Sequence, residues 1–272
     1  MILELPDGHL AYELRGPEDA PLLLLNRPLG GSSLLWGPFA DALAKELRLV
    51  LFDPRGVGGS SDVALGHTTR AMAEDAIALL DHVAFARRAH VFGISLGGMV
   101  ATWIAKLAPE RVDRLVLAST IPGIGARADG ALGELLALAP NVTHREAEVD
   151  LVRAILSPAF REAEPARVAE IEAAVRAAPG KRMNLAALAL AAARHDAPLD
   201  GTLGMPTLLL FGDRDPLAGA AAKSRLLQGF SASKLEALDC GHDLTLERPL
   251  ETARLVSAFL RARGGRARRS PP

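Results

Sequence analysis

Ser95 stands in the run Gly93-Ile94-Ser95-Leu96-Gly97-Gly98, directly after His90-Val91-Phe92. A hydroxyl with glycine two places before and two places after it fits a sharp strand-to-helix turn that exposes a nucleophile. Such a turn strains the backbone, and small neighbours leave the room it needs. A serine hydroxyl is a weak nucleophile until a base takes its proton. Histidine suits that task near neutral pH, and a carboxylate fixes its tautomer and stabilises the imidazolium. Downstream, Gly212-Asp213-Arg214-Asp215-Pro216 and Asp239-Cys240-Gly241-His242 offer both partners, in the order serine, acid, histidine. Asp215 lies farther into its loop and is stiffened by Pro216, so it is preferred as the acid. Asp213 reads as a turn-stabilising side chain. The bland alternative for the pentapeptide is a tight turn that closes a strand, so the placement of the partners has to decide.

The other histidines are less well placed. His9 falls in a hairpin, His82 on a helix, and His144 and His195 in the middle segment. His67 follows a strand end, where a solvent-facing role is expected, and His90 begins the strand whose far end holds Ser95. None has metal-ligand spacing, so neither a metal nor another cofactor is expected. Cys240 lacks an elbow and reads as a small buried filler. The glycines of Arg55-Gly56-Val57-Gly58-Gly59-Ser60 lack the Lys-Ser/Thr ending of a phosphate-cradling loop.

Acyl chemistry also needs N–H donors aimed where negative charge develops. Leu96, at the start of the helix after Ser95, offers one. A second should come from Asn26-Arg27-Pro28-Leu29-Gly30-Gly31, where Pro28 has no N–H and Leu29 is the best donor. Gly30-Gly31 can also be read as a flexible turn.

Those residues need a frame. Residues 2–5 and 9–14 read as a hairpin across Asp7-Gly8. Short apolar strands are expected at 22–25, 49–52, 90–92, 115–118, 207–211 and 235–238. Helices are expected at 34–47 (Leu35, Phe39, Ala42, Leu43 and Leu47 on one stripe), 69–83, 98–107 and 250–260. Strands without polar alternation are buried on both faces, as in parallel sheets. Their alternation with helices predicts an α/β fold with a mostly parallel, doubly wound sheet and an antiparallel N-terminal hairpin. Ligands sit at the C-terminal ends of such strands, where Ser95, Asp215 and His242 all fall. Residues 121–205 break the alternation. Helical stretches at 145–156, 165–178 and 183–194, punctuated by Pro122-Gly123, Pro158 and Pro179-Gly180, read as a helical cap inserted in a core of residues 1–120 and 206–262. A separate helical domain is the alternative.

Composition narrows the classes. With 272 residues, 49% of them apolar, the chain can bury a sizeable core. A formal charge of −1 gives no general attraction to nucleic acid. The start, Met1-Ile2-Leu3-Glu4-Leu5-Pro6-Asp7-Gly8, has no basic region and no long apolar run, and 22–25 is too short for a membrane span. With one cysteine there is no internal disulfide, which fits a cytoplasmic location. Residues 263–272 carry Arg263, Arg266, Arg268 and Arg269 among Gly, Ala and Pro, just after Arg261, and read as a solvated, disordered basic tail.

At this point the chain resembles the α/β-hydrolases over nearly its full length. The carrying segments are Phe52-Asp53-Pro54-Arg55-Gly56-Val57-Gly58-Gly59-Ser60, 93–98, Ala108-Pro109-Glu110-Arg111-Val112, 206–215 and Gly241-His242. Within that family it most resembles the 3-oxoadipate enol-lactonase and serine esterase branch. The shared features there are Asn26 with Arg27-Pro28-Leu29-Gly30, and Gly93 to Met99 leading into a helix that bears Trp103. His242-Asp243-Leu244-Thr245 departs from the His-Leu-Ser-Asn run of the lactonases. The resemblance implies a hydrolase of a small ester or lactone, acting through an acyl-enzyme on Ser95, His242 and Asp215 with Leu29 and Leu96 as the oxyanion hole. Arg27, Trp36, Met99 and the cap would contact substrate, and the protein would be a monomer or homodimer. C–C bond hydrolases, perhydrolases and acyltransferases share this arrangement, and some members of the fold are non-catalytic small-molecule receptors. Epoxide hydrolases and haloalkane dehalogenases carry Asp at the elbow, where this chain has serine.

Overall fold

Alternate leucines of one strand, Leu22 to Leu25, go to opposite sides of a sheet. Leu22 and Leu24 join a buried cluster with Met72, Ala76, Leu80, Val100 and Ile104, while Leu23 and Leu25 join another with Trp36, Phe39, Ala253 and Val256. The same division by alternation separates Val50 from Leu51, Val91 from Phe92 and Leu209 from Leu210. Side chains that alternate across a pleat with both sets apolar require helices on both faces. Each fully buried side chain of this size contributes about 1.5–3 kcal/mol.

The computed structural model describes residues 1–29, 33–85, 87–123, 145–178, 184–199, 201 and 203–262. The strands are β1 (Ile2–Leu5), β2 (Gly8–Arg15), β3 (Leu22–Asn26), β4 (Arg48–Phe52), β5 (Ala89–Ile94), β6 (Val112–Ala118), β7 (Thr207–Gly212) and β8 (Ser233–Leu238). They form one eight-stranded sheet in the order β1-β2-β4-β3-β5-β6-β7-β8. β2 is antiparallel to β1 and β4, and every later pairing is parallel. Central β3 and β5 are buried throughout, whereas edge strands β1 and β8 are partly exposed.

The helices are α1 (Gly37–Leu43), α2 (Thr69–Val83), α3 (Leu96–Leu107), α4 (Arg145–Ile155), α5 (Pro158–Ala163), α6 (Pro165–Ala177), α7 (Leu185–Ala193), α8 (Ala220–Gly229), α9 (Leu244–Glu247) and α10 (Pro249–Arg261). The expected helix over 34–47 is broken. A 3-10 turn, Ser33–Trp36, precedes α1, because Gly37 takes φ +40° and Pro38 cannot continue the preceding turn. The strands at Ser95 and before His242 are longer than the apolar runs that mark them, since Ala89, Ser233 and Lys234 pair at their starts.

Between β6 and β7 the chain leaves the sheet. Its described part is helical (α4–α7), and Val149, Val152, Leu156, Phe160, Val168, Ile171 and Val175 form a cluster of their own with Leu35 and Leu246. The insertion is pinned where it leaves and returns. Gly123 and Asp196 form an antiparallel bridge, and His195 Nδ1 lies 2.9 Å from Thr69 Oγ1. Asn184 donates from its backbone to Gly56 and from its side chain to Val63 O, at 2.8 and 2.9 Å. The glycine loop after β4 uses amides internally, with Gly56 N–H donating to Ser61 O at 2.8 Å and Gly59 N–H to Asp53 at 3.1 Å, and Asp53 also accepts from Ser33 N–H of the turn before α1 at 2.9 Å. Gly30, Gly31, His144, Pro179, Gly180, Met183 and the basic tail at 263–272 lie outside the described residues.

Candidate active site

The turn between β5 and α3 places Ser95 at φ +55°, ψ −120°. A residue with a side chain in that region carries strain of about 1–3 kcal/mol, held in place by its surroundings. Ser95 N–H donates to Ala118 O at 2.9 Å, and Ser95 O accepts from Gly98 N–H, Met99 N–H and the Thr120 hydroxyl at 2.9, 3.1 and 2.7 Å. The glycines supply space: a Cβ on Gly93 would lie 2.1 Å from Gly97 O, and one on Gly97 would lie 2.1 Å from Asn26 O. The second contact sets the start of α3 directly against the 26–29 turn. Leu96 opens α3, so its N–H has no carbonyl one turn back. Leu29, in that turn, is buried.

Asp215 and His242 meet across two loops. His242 Nδ1 lies 2.9 and 3.0 Å from the Asp215 carboxylate oxygens, with both side chains buried. Asp215 Oδ1 also accepts from Leu217 N–H at 2.8 Å and Ala218 N–H at 3.2 Å. The loops are in contact: Arg214 N–H donates to Cys240 O at 3.0 Å, and a Cβ on Gly212 would sit 2.0 Å from Gly241 O. Asp213 faces solvent.

Burial opposes charge on both members of the pair, and their attraction outweighs it. The His242 pKa is raised: burial lowers it, but the charge of Asp215 and the hydrogen bond to it raise it more. For Asp215, burial raises the pKa and His242 together with the Leu217 and Ala218 amides bring it below its ordinary value. With Nδ1 engaged, Nε2 is the nitrogen left for proton transfer.

Ser95 and His242 line one narrow cleft with Met99, Ser119, Thr120, Ile121, Leu217 and Ala218, with about 10 Å³ of free volume. Met99 is thus in the wall. Arg27 and Trp36 are not among the lining residues; they stack on each other, the guanidinium 4.4 Å from the ring centroid. Arg27 is 5% exposed, and its Nε and Nη1 have no hydrogen-bond partner among the described residues. Burial pushes its pKa down to about 10, against the pull of Asp243 and Asp53.

The wall contains groups the sequence did not single out. Ser119 takes φ +41°, and its hydroxyl is buried without a hydrogen-bond partner. Thr120 holds the Ser95 carbonyl. Both directly follow β6, and the rule that sites gather at the C-terminal ends of parallel strands was the signal available for them.

The remaining titratable candidates are occupied elsewhere. Burial, then Glu247, pushes the Cys240 thiol up to about 12, so it stays protonated. Burial lowers His195 to about 4 at the neck of the insertion. His90 is buried 3.4 Å from Asp113, and His67 lies 3.8 Å from Asp75 with its side chain 14% exposed, not facing solvent. Among the described residues no group of three or more His, Cys, Asp or Glu is gathered to hold a metal ion, and no helix is long and apolar enough to cross a membrane.

Known proteins share this fold. Residues 21–249 match the family described as alpha/beta hydrolase fold. The 3-oxoadipate enol-lactonase 1 of Acinetobacter baylyi is 27% identical, with 93% of each chain covered. A candidate carbamate hydrolase of Variovorax paradoxus is 35% identical over 85% of this chain and 88% of its own. The crystal structure of the enol-lactonase from Burkholderia xenovorans LB400 superposes with a TM-score of 0.81 at 25% identity, covering 96% of this chain and 99% of that one. With the eight-stranded sheet, the strained serine turn after β5 and a match over most of its length, the chain belongs to the α/β-hydrolase family.

Proposed function

We propose that the protein is a serine hydrolase of small carboxylic esters or lactones. One observation carries the reading: a histidine hydrogen-bonded to a buried carboxylate lines the same cavity as a serine on a strained turn. In the proposed reaction His242 Nε2 takes the Ser95 proton as Oγ attacks the carbonyl. Asp215 holds the imidazole with Nδ1–H toward the carboxylate and stabilises the imidazolium. The Leu96 and Leu29 N–H groups receive the developing oxyanion. His242 then returns the proton to the leaving oxygen, and water activated by the same histidine releases the acid and frees Ser95. A lactone would leave a hydroxyacyl chain on Ser95 before hydrolysis. We read the helical insertion as a cap over this cavity.

The test is labelling by a fluorophosphonate probe, followed by turnover on short esters and lactones. Labelling of Ser95 with release of acid and alcohol is the expected result. A folded protein that is not labelled overturns the reading, and labelling without turnover points to acyl transfer or a receptor. The carbamate hydrolase relative makes a small carbamate worth including, since the same serine attack releases an amine or an alcohol from it.

Arg27 is proposed as the group that reads a substrate carboxylate, on the strength of its unpaired N–H groups in the 26–29 turn, behind the cavity wall where it stacks on Trp36. Arg27→Ala should then lose the preference for acidic over neutral esters, measured as a ratio of kcat/KM. An undiminished ratio places Arg27 in the framework, balanced by Asp53 and Asp243.

A further inference from the structure

Glu247 is 6% exposed, and its carboxylate gathers donors from two separate parts of the molecule. Oε1 accepts from Ser157 N–H at 2.7 Å, and Oε2 accepts from the Ser157 hydroxyl at 2.7 Å and Gly241 N–H at 3.0 Å. Among the described residues it forms no salt bridge. Bonds to a charged acceptor are the strong kind, and a buried carboxylate without them would be costly.

The donors mark two bodies. Ser157 belongs to the insertion, where its hydroxyl caps α5 by accepting Phe160 N–H at 3.2 Å. Gly241 is the residue before His242. The approach leaves no room for a side chain: a Cβ on Gly241 would lie 2.6 Å from Glu247 Oε1 and 2.9 Å from Ser157 N. An apolar seam flanks the polar clasp, since Leu246, beside Glu247, packs into the cluster formed by Val149, Val152, Leu156 and Phe160 of the insertion. The cluster also takes in Leu35, one residue before Trp36, so the insertion touches both the histidine side and the 33–36 turn.

We propose that Glu247 is a positioning residue with two separable tasks, alignment of His242 and seating of the cap. It fixes the histidine loop through Gly241 N–H and the cap through Ser157. A cap lifted from its seat takes two of the three donors away and leaves the carboxylate held by Gly241 N–H alone. This inference rests on the reading of Ser95 and His242 as nucleophile and base.

Two variants separate the halves. Glu247→Gln keeps the shape but leaves one acceptor oxygen for three donors, so an NH2 group faces either Ser157 N–H or the pair of Gly241 N–H and the Ser157 hydroxyl, and the strain on the histidine loop should lower kcat on the order of 10- to 100-fold, as small displacements of a catalytic group do. Ser157→Ala removes the hydroxyl bond from the cap and leaves Gly241 bonded. It should act mainly through KM, which rises roughly 10-fold, the effect of one hydrogen bond to a charged group. That split between kcat and KM, in variants whose melting temperatures lie close together, supports the two tasks. Equal losses in both that track a fall in Tm, or unchanged kinetics in both, overturn it. If Glu247→Gln does not fold, Ser157→Ala decides alone: raised KM supports the proposal and unchanged KM overturns it. Fluorophosphonate labelling of the wild type keeps the two questions apart, because an unlabelled wild type sinks the hydrolase reading, whereas a labelled wild type with indifferent variants sinks only the positioning role of Glu247.

Discussion

Ser95→Ala should lower kcat by about 10⁶-fold on any ester or lactone the wild type hydrolyses, and abolish fluorophosphonate labelling. The size follows from what is lost. Without Oγ there is no acyl-enzyme, and His242 has no hydroxyl to deprotonate. What survives is substrate held in the cavity with its carbonyl against the Leu96 and Leu29 amides, which sustains about 10³–10⁴-fold over the uncatalysed rate in comparable sites. The melting temperature should change little. Alanine has a Cβ and keeps the same strain at φ +55°, and the bonds that fix the turn, from Ala118 O, Gly98 N–H, Met99 N–H and Thr120 Oγ1, are all to the Ser95 backbone. A large fall in Tm would show the hydroxyl to be structural, and retained turnover would remove Ser95 from the chemistry. Kinetics and calorimetry on one preparation decide both points.

The parts legible in the sequence are those whose signal is local. Four consecutive leucines can form a strand only if both faces are covered, and that requirement yields the parallel sheet. Ser95, Asp215 and His242 stand out because each follows a strand and their side chains suit one chemistry. Residues that act through distant pairing leave no such trace. Thr120 reaches the Ser95 carbonyl only because β5 and β6 run side by side, and Glu247 reaches Ser157 across 90 positions of chain. Helix α8 was missed for a different reason: Leu226 and Gly229 are its only buried residues, so it has no apolar stripe to read. Gly37 shows the converse, since the stripe over 34–47 is real but one left-handed residue splits the helix that carries it.

Asp215→Asn should lower kcat by about 10⁴-fold and move the acid limb of kcat/KM to lower pH. Asparagine is nearly isosteric and its carbonyl oxygen can still accept from Leu217 and Ala218 N–H, which now hold Asp215 Oδ1. That leaves its NH2 toward His242 Nδ1. Nδ1 must then be the acceptor, so the neutral imidazole carries its proton on Nε2, where it cannot take one from Ser95. The pH shift has a definite sign. A general base works when neutral, so activity rises as pH climbs through the pKa of His242. In the wild type that pKa lies above the ordinary 6.5, because Asp215 outweighs burial. In the variant burial acts with less opposition and the limb moves down. Stability carries the same pair in reverse. The contribution through His242 is complete below its unfolded pKa and is lost as pH rises through the raised folded value. The contribution through Asp215 is present above its unfolded pKa and is lost as pH falls through the lowered folded value. Wild type and Asp215→Asn should therefore differ most in Tm between those limits and converge outside them. Asp213→Asn is the control on the same loop. Asp213 is exposed and apart from His242, so its removal should leave both the limb and kcat near wild type. If Asp213→Asn instead moves the limb and Asp215→Asn does not, the carboxylate that orients the base is Asp213, and the loop after β7 rearranges when substrate binds.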